Sequence, residues 1–319
     1  MTWGWLQDLM RAIAGPPKPA RPVTIQICPA PGSEDLIDLV HDPVALRVLS
    51  RVASHFQFYA GHFIDPPPSQ VGGNTYDTLR GIEAVRKVHE AGFSVGVEAP
   101  ALKPWSLDVE VYIAHTLDIL AKAGGMITTV AMDEPWGAAA MSQPTRSWDD
   151  AQIAAHVAGY MRGVREVARP DLLIGLIEPY PAVPLTVWLR AFEALRSAGA
   201  RLDFVRIDVD ANYCRELGWA RVERELRRIR LALREQSIPM GVIVWGFEDR
   251  TAADFTRSSL ALLTRYQWIF GSDWPEQLMV QSWSRDGDDP RRVPPIGSIG
   301  RRQTLAWIAA HAQAELSRR

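Results

Sequence analysis

Hydrophobic residues along this chain recur in two alternating patterns. Short runs rich in valine, isoleucine and phenylalanine, several of them apolar throughout, are typical of strands that are covered on both faces. Between these runs lie longer segments in which apolar residues return every three or four positions, the period of an amphipathic helix. Eight strands are predicted in this way, at 23–28, 56–60, 93–98, 127–132, 172–177, 203–208, 241–245 and 278–283.

The segments between the strands predict helices. Segment 76–91 places Leu79, Ile82, Val85 and Val88 on one side, and segment 214–235 sets an apolar stripe against a face of arginine and glutamate. Further helices are expected near 43–54, 107–123, 149–168, 184–198, 252–266 and 301–317.

Eight strand–helix units in series predict an α/β fold, a (β/α)8 TIM barrel spanning residues 23–319. A short helix and a proline-rich linker at 1–22 are expected to precede it. The competing open sheet usually carries a glycine-rich phosphate loop after its first strand. Here that strand runs into CPAPGSED, without such a motif, and this favours the barrel.

Composition excludes several classes of function. With 35 basic and 37 acidic residues, the net charge of -2 argues against a nucleic-acid partner. The two cysteines, Cys28 and Cys214, predict neither a disulfide framework nor a structural zinc site, although a single bridge stays open. No segment approaches about 18 uninterrupted apolar residues, so no membrane span is expected. The N-terminus lacks a signal-peptide pattern, which predicts a cytoplasmic protein, or a periplasmic or secreted one if a leader was trimmed.

The positions at the C-terminal ends of the strands are acidic and aromatic, and lysine is scarce there. These are the positions at which barrels of this kind carry their chemistry. Carboxylates accept hydrogen bonds from hydroxyl groups, and flat aromatic rings pack on sugar rings, so a carbohydrate substrate without a cofactor is expected. The candidate site residues are Asp133, Glu134, Glu248, His62, Glu98, Trp105, Trp136, Glu178, Tyr180, Asp208, Asp210, Tyr213, Trp245, Trp283 and Arg285.

Several of these candidates also have a structural interpretation. Asp133 and Glu134 suit the start of a loop, because Pro135 disfavours helix at the residue before it. Acids that cap or favour the beginning of a helix are also expected at two places, Glu248 or Asp249 after strand seven and Asp208 or Asp210 after strand six. A single histidine such as His62 is more often structural than catalytic.

Three short motifs resemble clan A of the glycoside hydrolases, which are retaining (β/α)8 enzymes. Strand four ends in Asp133-Glu134-Pro135, strand seven runs through VIVWGFE into Glu248, and strand eight ends at Trp283. The resemblance implies that Glu134 is the acid/base and Glu248 the nucleophile in the cleavage of an oligo- or polysaccharide. The sequence departs from the clan at Asp133, where those enzymes usually have asparagine.

Other hypotheses remain open at this point. Some retaining α-glycosidases on the same barrel use a strand-four aspartate as nucleophile and a strand-six aspartate as acid/base, which Asp133 with Asp208 or Asp210 would match. A metal-dependent sugar isomerase or lyase would use His62, Glu98, Asp133 and Asp208 as ligands. A non-catalytic carbohydrate-binding barrel is the third alternative. The oligomeric state is not determined by the sequence.

Overall fold

The computed structural model of the protein describes residues 22–30, 35–63, 76–100, 108–141, 147–246, 251–282, 296–297 and 303–317. Eight parallel strands close into a barrel in sequence order, and β8 pairs with β1 through Thr24 opposite Gln277. The (β/α)8 prediction is therefore confirmed. The strands are β1 Thr24–Cys28, β2 His55–Tyr59, β3 Ser94–Pro100, β4 Ile127–Asp133, β5 Leu173–Tyr180, β6 Val205–Val209, β7 Met240–Val244 and β8 Gln277–Gln281.

Helices surround the strands. The helices are α1 Asp35–His41, α2 Pro43–Leu49, α3 Tyr76–Gly81, α4 Ala84–Glu90, α5 Val109–Lys122, α6 Pro135–Met141, α7 Asp150–Val167, α8 Leu185–Ser197, α9 Ala211–Leu217, α10 Trp219–Glu235, α11 Ala252–Phe270 and α12 Leu305–Ser317. Two of the predicted helices are divided in the structure. Segment 76–91 forms α3 and α4, and segment 214–235 forms part of α9 and all of α10, with Gly218 between them at a φ of 89°.

The end of β4 differs from the loop that Asp133 and Glu134 suggested. A helix, α6, begins at Pro135 after the single residue Glu134. Proline is well suited to this first helical position. An N–H group there would have no acceptor within the helix, so its absence in proline costs nothing, and the φ of proline is already helical. Glu134 has a φ of 53°, in the left-handed region, and so turns the chain sharply from strand into helix.

The inside of the barrel is unusually polar for this fold, whose interior is more often filled by branched apolar side chains. Fully or nearly buried polar side chains point inward from several strands, including Gln26, His55, Gln57, Arg206 and Gln281. Glycines on other strands make room for the larger side chains. A Cβ on Gly96 would lie 2.6 Å from the His55 ring, and one on Gly241 would lie 2.9 Å from Arg206.

Cys28 and Cys214 are both buried and both free, so the structure contains no bridge between them. Within the described ranges, no helix is both long enough and apolar enough to cross a membrane.

Candidate active site

Carboxylates from β4 and β6 lie near one another at the mouth, the end of the barrel where the strands finish. Asp133 ends β4, Glu134 follows it, and Asp208 lies on β6; all three side chains are half-buried. Burial raises the pKa of Asp208 to about 7, and the negative charges of Glu134 and Asp133 add to this rise. The three acids therefore share one environment, in which the pKa of Asp208 lies near neutral pH.

Trp245, the residue after β7, orients Asp208. Its indole Nε1 donates a hydrogen bond of 2.5 Å to Oδ1 of Asp208 and thereby opposes the rise in the pKa of that carboxyl. Trp245 is only 6% exposed, so this partner is held firmly in the barrel wall. The predicted role of Trp245 at the mouth therefore includes a contact with a candidate catalytic acid.

Glu98 on β3 lies below these acids in the barrel interior. Its Oε2 accepts hydrogen bonds from the side-chain amides of Gln57 at 3.3 Å and Gln281 at 3.2 Å. The same Gln281 amide donates to the Tyr59 hydroxyl at 2.6 Å, which itself donates to the backbone oxygen of Ser282 at 2.9 Å. Glu98, Tyr59 and Gln281 thus form a hydrogen-bonded polar floor.

Arg206 supports this floor from beneath. It is 1% exposed, and its Nη1 donates to Oε1 of Gln57 at 2.5 Å while its Nε donates to Oε1 of Gln277 at 3.0 Å. Burial lowers the pKa of Arg206 to about 10, and the negative charge of Glu98 opposes that shift. Because Gln57 accepts from Arg206 through its oxygen, its amide group is oriented to donate to Glu98.

His55 lies deeper in the barrel than the floor. Burial, together with the Arg206 charge, lowers its pKa to about 3, so the imidazole is neutral. Its two ring nitrogens lie 2.8 Å from the Ser94 hydroxyl and 3.3 Å from the Thr129 hydroxyl. His55 therefore completes the buried polar packing and lies away from the mouth.

Glu178 and Trp136 lie outside the barrel interior, in the layer between the strands and the helices. The carboxylate of Glu178 accepts hydrogen bonds from the backbone amides of Trp136 at 2.7 Å and Gly137 at 3.0 Å. The Trp136 indole is 4% exposed and donates to Asp150 at 3.0 Å. Both were expected to contact the sugar, and the structure places both among packing residues instead.

Tyr180 and Asp210 also have structural partners. The Tyr180 hydroxyl donates to Glu225 on α10 at 2.9 Å, and its side chain is fully buried behind β5. Asp210 caps α9 by accepting from the amides of Asn212 and Tyr213, in agreement with its capping interpretation. Tyr213 itself is 56% exposed on α9.

His62 is separated from the acids of the mouth. It lies in a 3-10 turn after β2, where its Nδ1 accepts from the Tyr59 amide at 3.0 Å and its ring packs edge-on against Phe58. Burial lowers the pKa of His62 to about 4. These contacts are packing contacts. In the portion of the chain that is described, no three histidine, cysteine, aspartate or glutamate side chains are grouped to hold a metal ion.

Four candidates, Glu248, Trp105, Trp283 and Arg285, lie outside the described residues. Conversely, the sequence interpretation omitted Tyr59, Gln281 and Arg206. Each lies an even number of positions along its strand from another polar residue, so both side chains point to the same face. This alternation of polar residues is the signal that would have identified them.

No family model matches this chain, and no curated protein does. Solved structures with the same fold include a glucosidase from Croceicoccus marinus, with a TM-score of 0.55, 13% identity and coverage of 92% of this chain and 66% of that one. A family 1 β-glucosidase from Thermotoga maritima has a TM-score of 0.53, 10% identity and coverage of 94% and 99%. Active domain 2 of a thermostable chitinase from Pyrococcus furiosus has a TM-score of 0.52, 15% identity and coverage of 96% and 99%. At these identities the likeness is one of fold.

Proposed function

We propose that the protein is a glycoside hydrolase in which Glu134 is the acid/base. The observation that carries this proposal is the coupled set of carboxylates at the mouth, where the pKa of Asp208 is raised to about 7 by burial and by its acidic neighbours. Cleavage of a glycosidic bond needs one protonated and one ionised carboxyl group. Because a TIM barrel hosts many activities, the proposal rests on these residues, and the glycoside-acting barrels of the same fold support it only in general terms.

In the leading assignment, Glu134 donates its proton to the leaving-group oxygen while Glu248 attacks the anomeric carbon and forms a glycosyl ester. Water then hydrolyses that ester, with Glu134 now acting as the base, so that the configuration is retained. This assignment of Glu248 rests on its place after strand seven. It predicts a distance of about 5–5.5 Å between the two carboxyl groups.

A second assignment is favoured by one specific observation. Asp208 faces the same mouth as Asp133, and it is held by Trp245 with a pKa raised to about 7 by burial. Asp133 as nucleophile and Asp208 as acid/base would then perform the same two steps. Asp210 is not part of this assignment, since its carboxylate caps α9.

Aryl glycosides with good and poor leaving groups separate the two assignments. A 2,4-dinitrophenolate leaves without a proton, so loss of the general acid spares kcat/KM, which reports the first step, for that substrate and lowers it for alkyl or 4-nitrophenyl glycosides. In the leading assignment Glu134→Gln shows this pattern, with about a 100-fold loss on the poor leaving group. In the second assignment Asp208→Asn shows it instead.

The first experiment is a panel of aryl glycosides and oligosaccharides with the wild-type chain, Glu134→Gln and the control Glu235→Gln. Glu235 is an exposed residue at the end of α10, so its variant should match wild type. Sugar binding without cleavage, at an affinity that Glu134→Gln leaves unchanged, would identify a carbohydrate-binding barrel. Activity that depends on a stoichiometric metal and is lost to a chelator would favour the isomerase or lyase.

A further inference from the structure

The turn between β4 and α6 holds Glu134 in a backbone conformation that a glutamate rarely adopts. Left-handed φ values such as the 53° of Glu134 cost about 1 kcal/mol or more and persist only where surrounding contacts enforce them. Two backbone hydrogen bonds do so here: the Glu134 amide donates to Ile177 at 2.9 Å, and its carbonyl accepts from Ala138 at 2.7 Å. The direction of the Glu134 side chain therefore depends on how this turn is fixed.

Glu178, on the neighbouring strand β5, supplies the helix cap for that turn. Proline at the first position of α6 has no N–H, so the amides of Trp136 and Gly137 are the first that require acceptors. Oε1 of Glu178 accepts from Trp136 at 2.7 Å and Oε2 accepts from Gly137 at 3.0 Å, with the residue only 2% exposed. The cap thus comes from a different strand, which ties α6 to β5.

Gly137 allows this approach. A Cβ at that position would lie 2.9 Å from Cγ of Pro179, the residue after Glu178, and 3.4 Å from Cβ of Glu134. Contacts shorter than about 3 Å are not tolerated in a packed interior without a shift. The first turn of α6 is therefore packed as closely against β5 as a glycine permits.

We propose that Glu178 is a positioning residue for Glu134: its buried carboxylate holds the first turn of α6 and thereby fixes the direction in which Glu134 faces the mouth. This inference rests on the proposed function, because it treats Glu134 as the acid/base. Glu178 does not itself contact the substrate.

Glu178 is also coupled electrostatically to the acids of the mouth. Burial raises the pKa of Glu178 to about 8, the two amide donors oppose that rise, and the charges of Glu134 and Asp133 add to it. Glu134 is coupled in the same way to Asp208. A change at Glu178 therefore alters the electrostatic environment of Glu134 as well as the geometry of its turn.

Glu178→Gln tests this role with little change in volume. One amide still finds an acceptor, but the other faces the NH2 group of the new side chain, so the turn must shift. We expect kcat to fall about 10- to 100-fold on the aryl glycoside that wild type cleaves fastest, with KM within about threefold, since small misplacements of a catalytic group have effects of this size. The pH–rate profile should also change, because the variant removes a titratable group that is electrostatically coupled to Glu134.

Asp150→Ala is the matched control. Asp150 holds the Trp136 indole of the same helix and pairs with Arg190 at 2.7 Å, but it does not touch the Glu178 cap. This variant should lower the melting temperature while leaving kcat within about twofold and the pH–rate profile in place. If Glu178→Gln behaves as Asp150→Ala does, Glu178 has only a structural role and the inference is overturned.

Gly137→Ala gives a second test that does not change charge and covers the case in which Glu178→Gln fails to fold. The added methyl group would meet Pro179 and push the amides away from Glu178, so kcat should fall about tenfold with no change in the pH–rate profile. Full activity of Gly137→Ala would refute the positioning role. Glu134→Gln is measured in parallel: if it retains activity on every substrate, the proposed function fails, whereas an inactive Glu134→Gln beside a fully active Glu178→Gln refutes only this inference.

Discussion

Asp208 should make the folded protein less stable as the pH rises, and Asp208→Asn should remove that effect. In the folded state burial raises the pKa of Asp208 from 3.8 to about 7. At pH values between these two pKa values, Asp208 has released its proton in the unfolded chain and still holds it in the folded chain. Because the folded state binds more protons over this window, stability falls as the pH rises from about 4 to about 7 and stays low above it.

The magnitude follows from that rise in pKa. At about 1.36 kcal/mol per pKa unit, ionising Asp208 in the folded protein costs about 4 kcal/mol. The side chain is partly exposed, and solvent screening reduces this to about 2 kcal/mol. Asparagine has nearly the same shape and its oxygen still accepts from the Trp245 indole, so the variant keeps the contact and loses the charge. For a chain of this size, about 2 kcal/mol corresponds to about 3 °C in Tm.

The assay is urea or thermal unfolding of both proteins between pH 4 and pH 8. Asp208→Asn should match wild type near pH 4 and exceed its stability by about 2 kcal/mol at pH 8. The control is Glu235→Gln, which removes an exposed carboxylate at the end of α10, away from Asp208, and which should show no such gain. A stability difference that is equal at pH 4 and pH 8 would show that Asp208 is not in the buried acidic setting described above.

Three further predictions concern Trp245, Glu248 and Arg206. Trp245→Phe removes the hydrogen bond that lowers the pKa of Asp208, so the stability loss should extend to higher pH; an unchanged unfolding profile would contradict this. Glu248→Ala should lose glycosidase activity, and azide should restore product formation with an inverted glycosyl azide detectable by NMR; no rescue on an activated aryl glycoside would count against Glu248 as nucleophile. Arg206→Met leaves Gln57 without its buried donor, and should lower the free energy of unfolding by about 2–4 kcal/mol in urea titrations; a loss below about 0.5 kcal/mol would show that the floor does not depend on Arg206.

The sequence determined the architecture of this protein. Runs rich in valine, isoleucine and phenylalanine between helical segments predict all eight strands, because a strand covered on both faces is mostly apolar even where, as here, some inward side chains are polar. Sequence order then placed Asp133, Glu134 and Asp208 at strand ends, since consecutive strand–helix units of a closed barrel all finish at the same end. An aspartate before a helix is a local signal, so a cap by Asp208 or Asp210 was also predicted, and the structure shows that Asp210 is the one that caps α9.

Only the tertiary structure decided which strand-end residues face the mouth. Strand β5 continues to Tyr180, three residues beyond its predicted end, and side chains alternate along it. Glu178 and Tyr180 therefore point with Leu176 toward the helices, whereas Asp208 points with Arg206 into the barrel. The sequence did not predict the seven-residue helix α6, because its cap is not a local residue. The cap is Glu178, which lies 42 positions from Trp136 along the chain. A contact between residues so distant in sequence exists only once the barrel has closed.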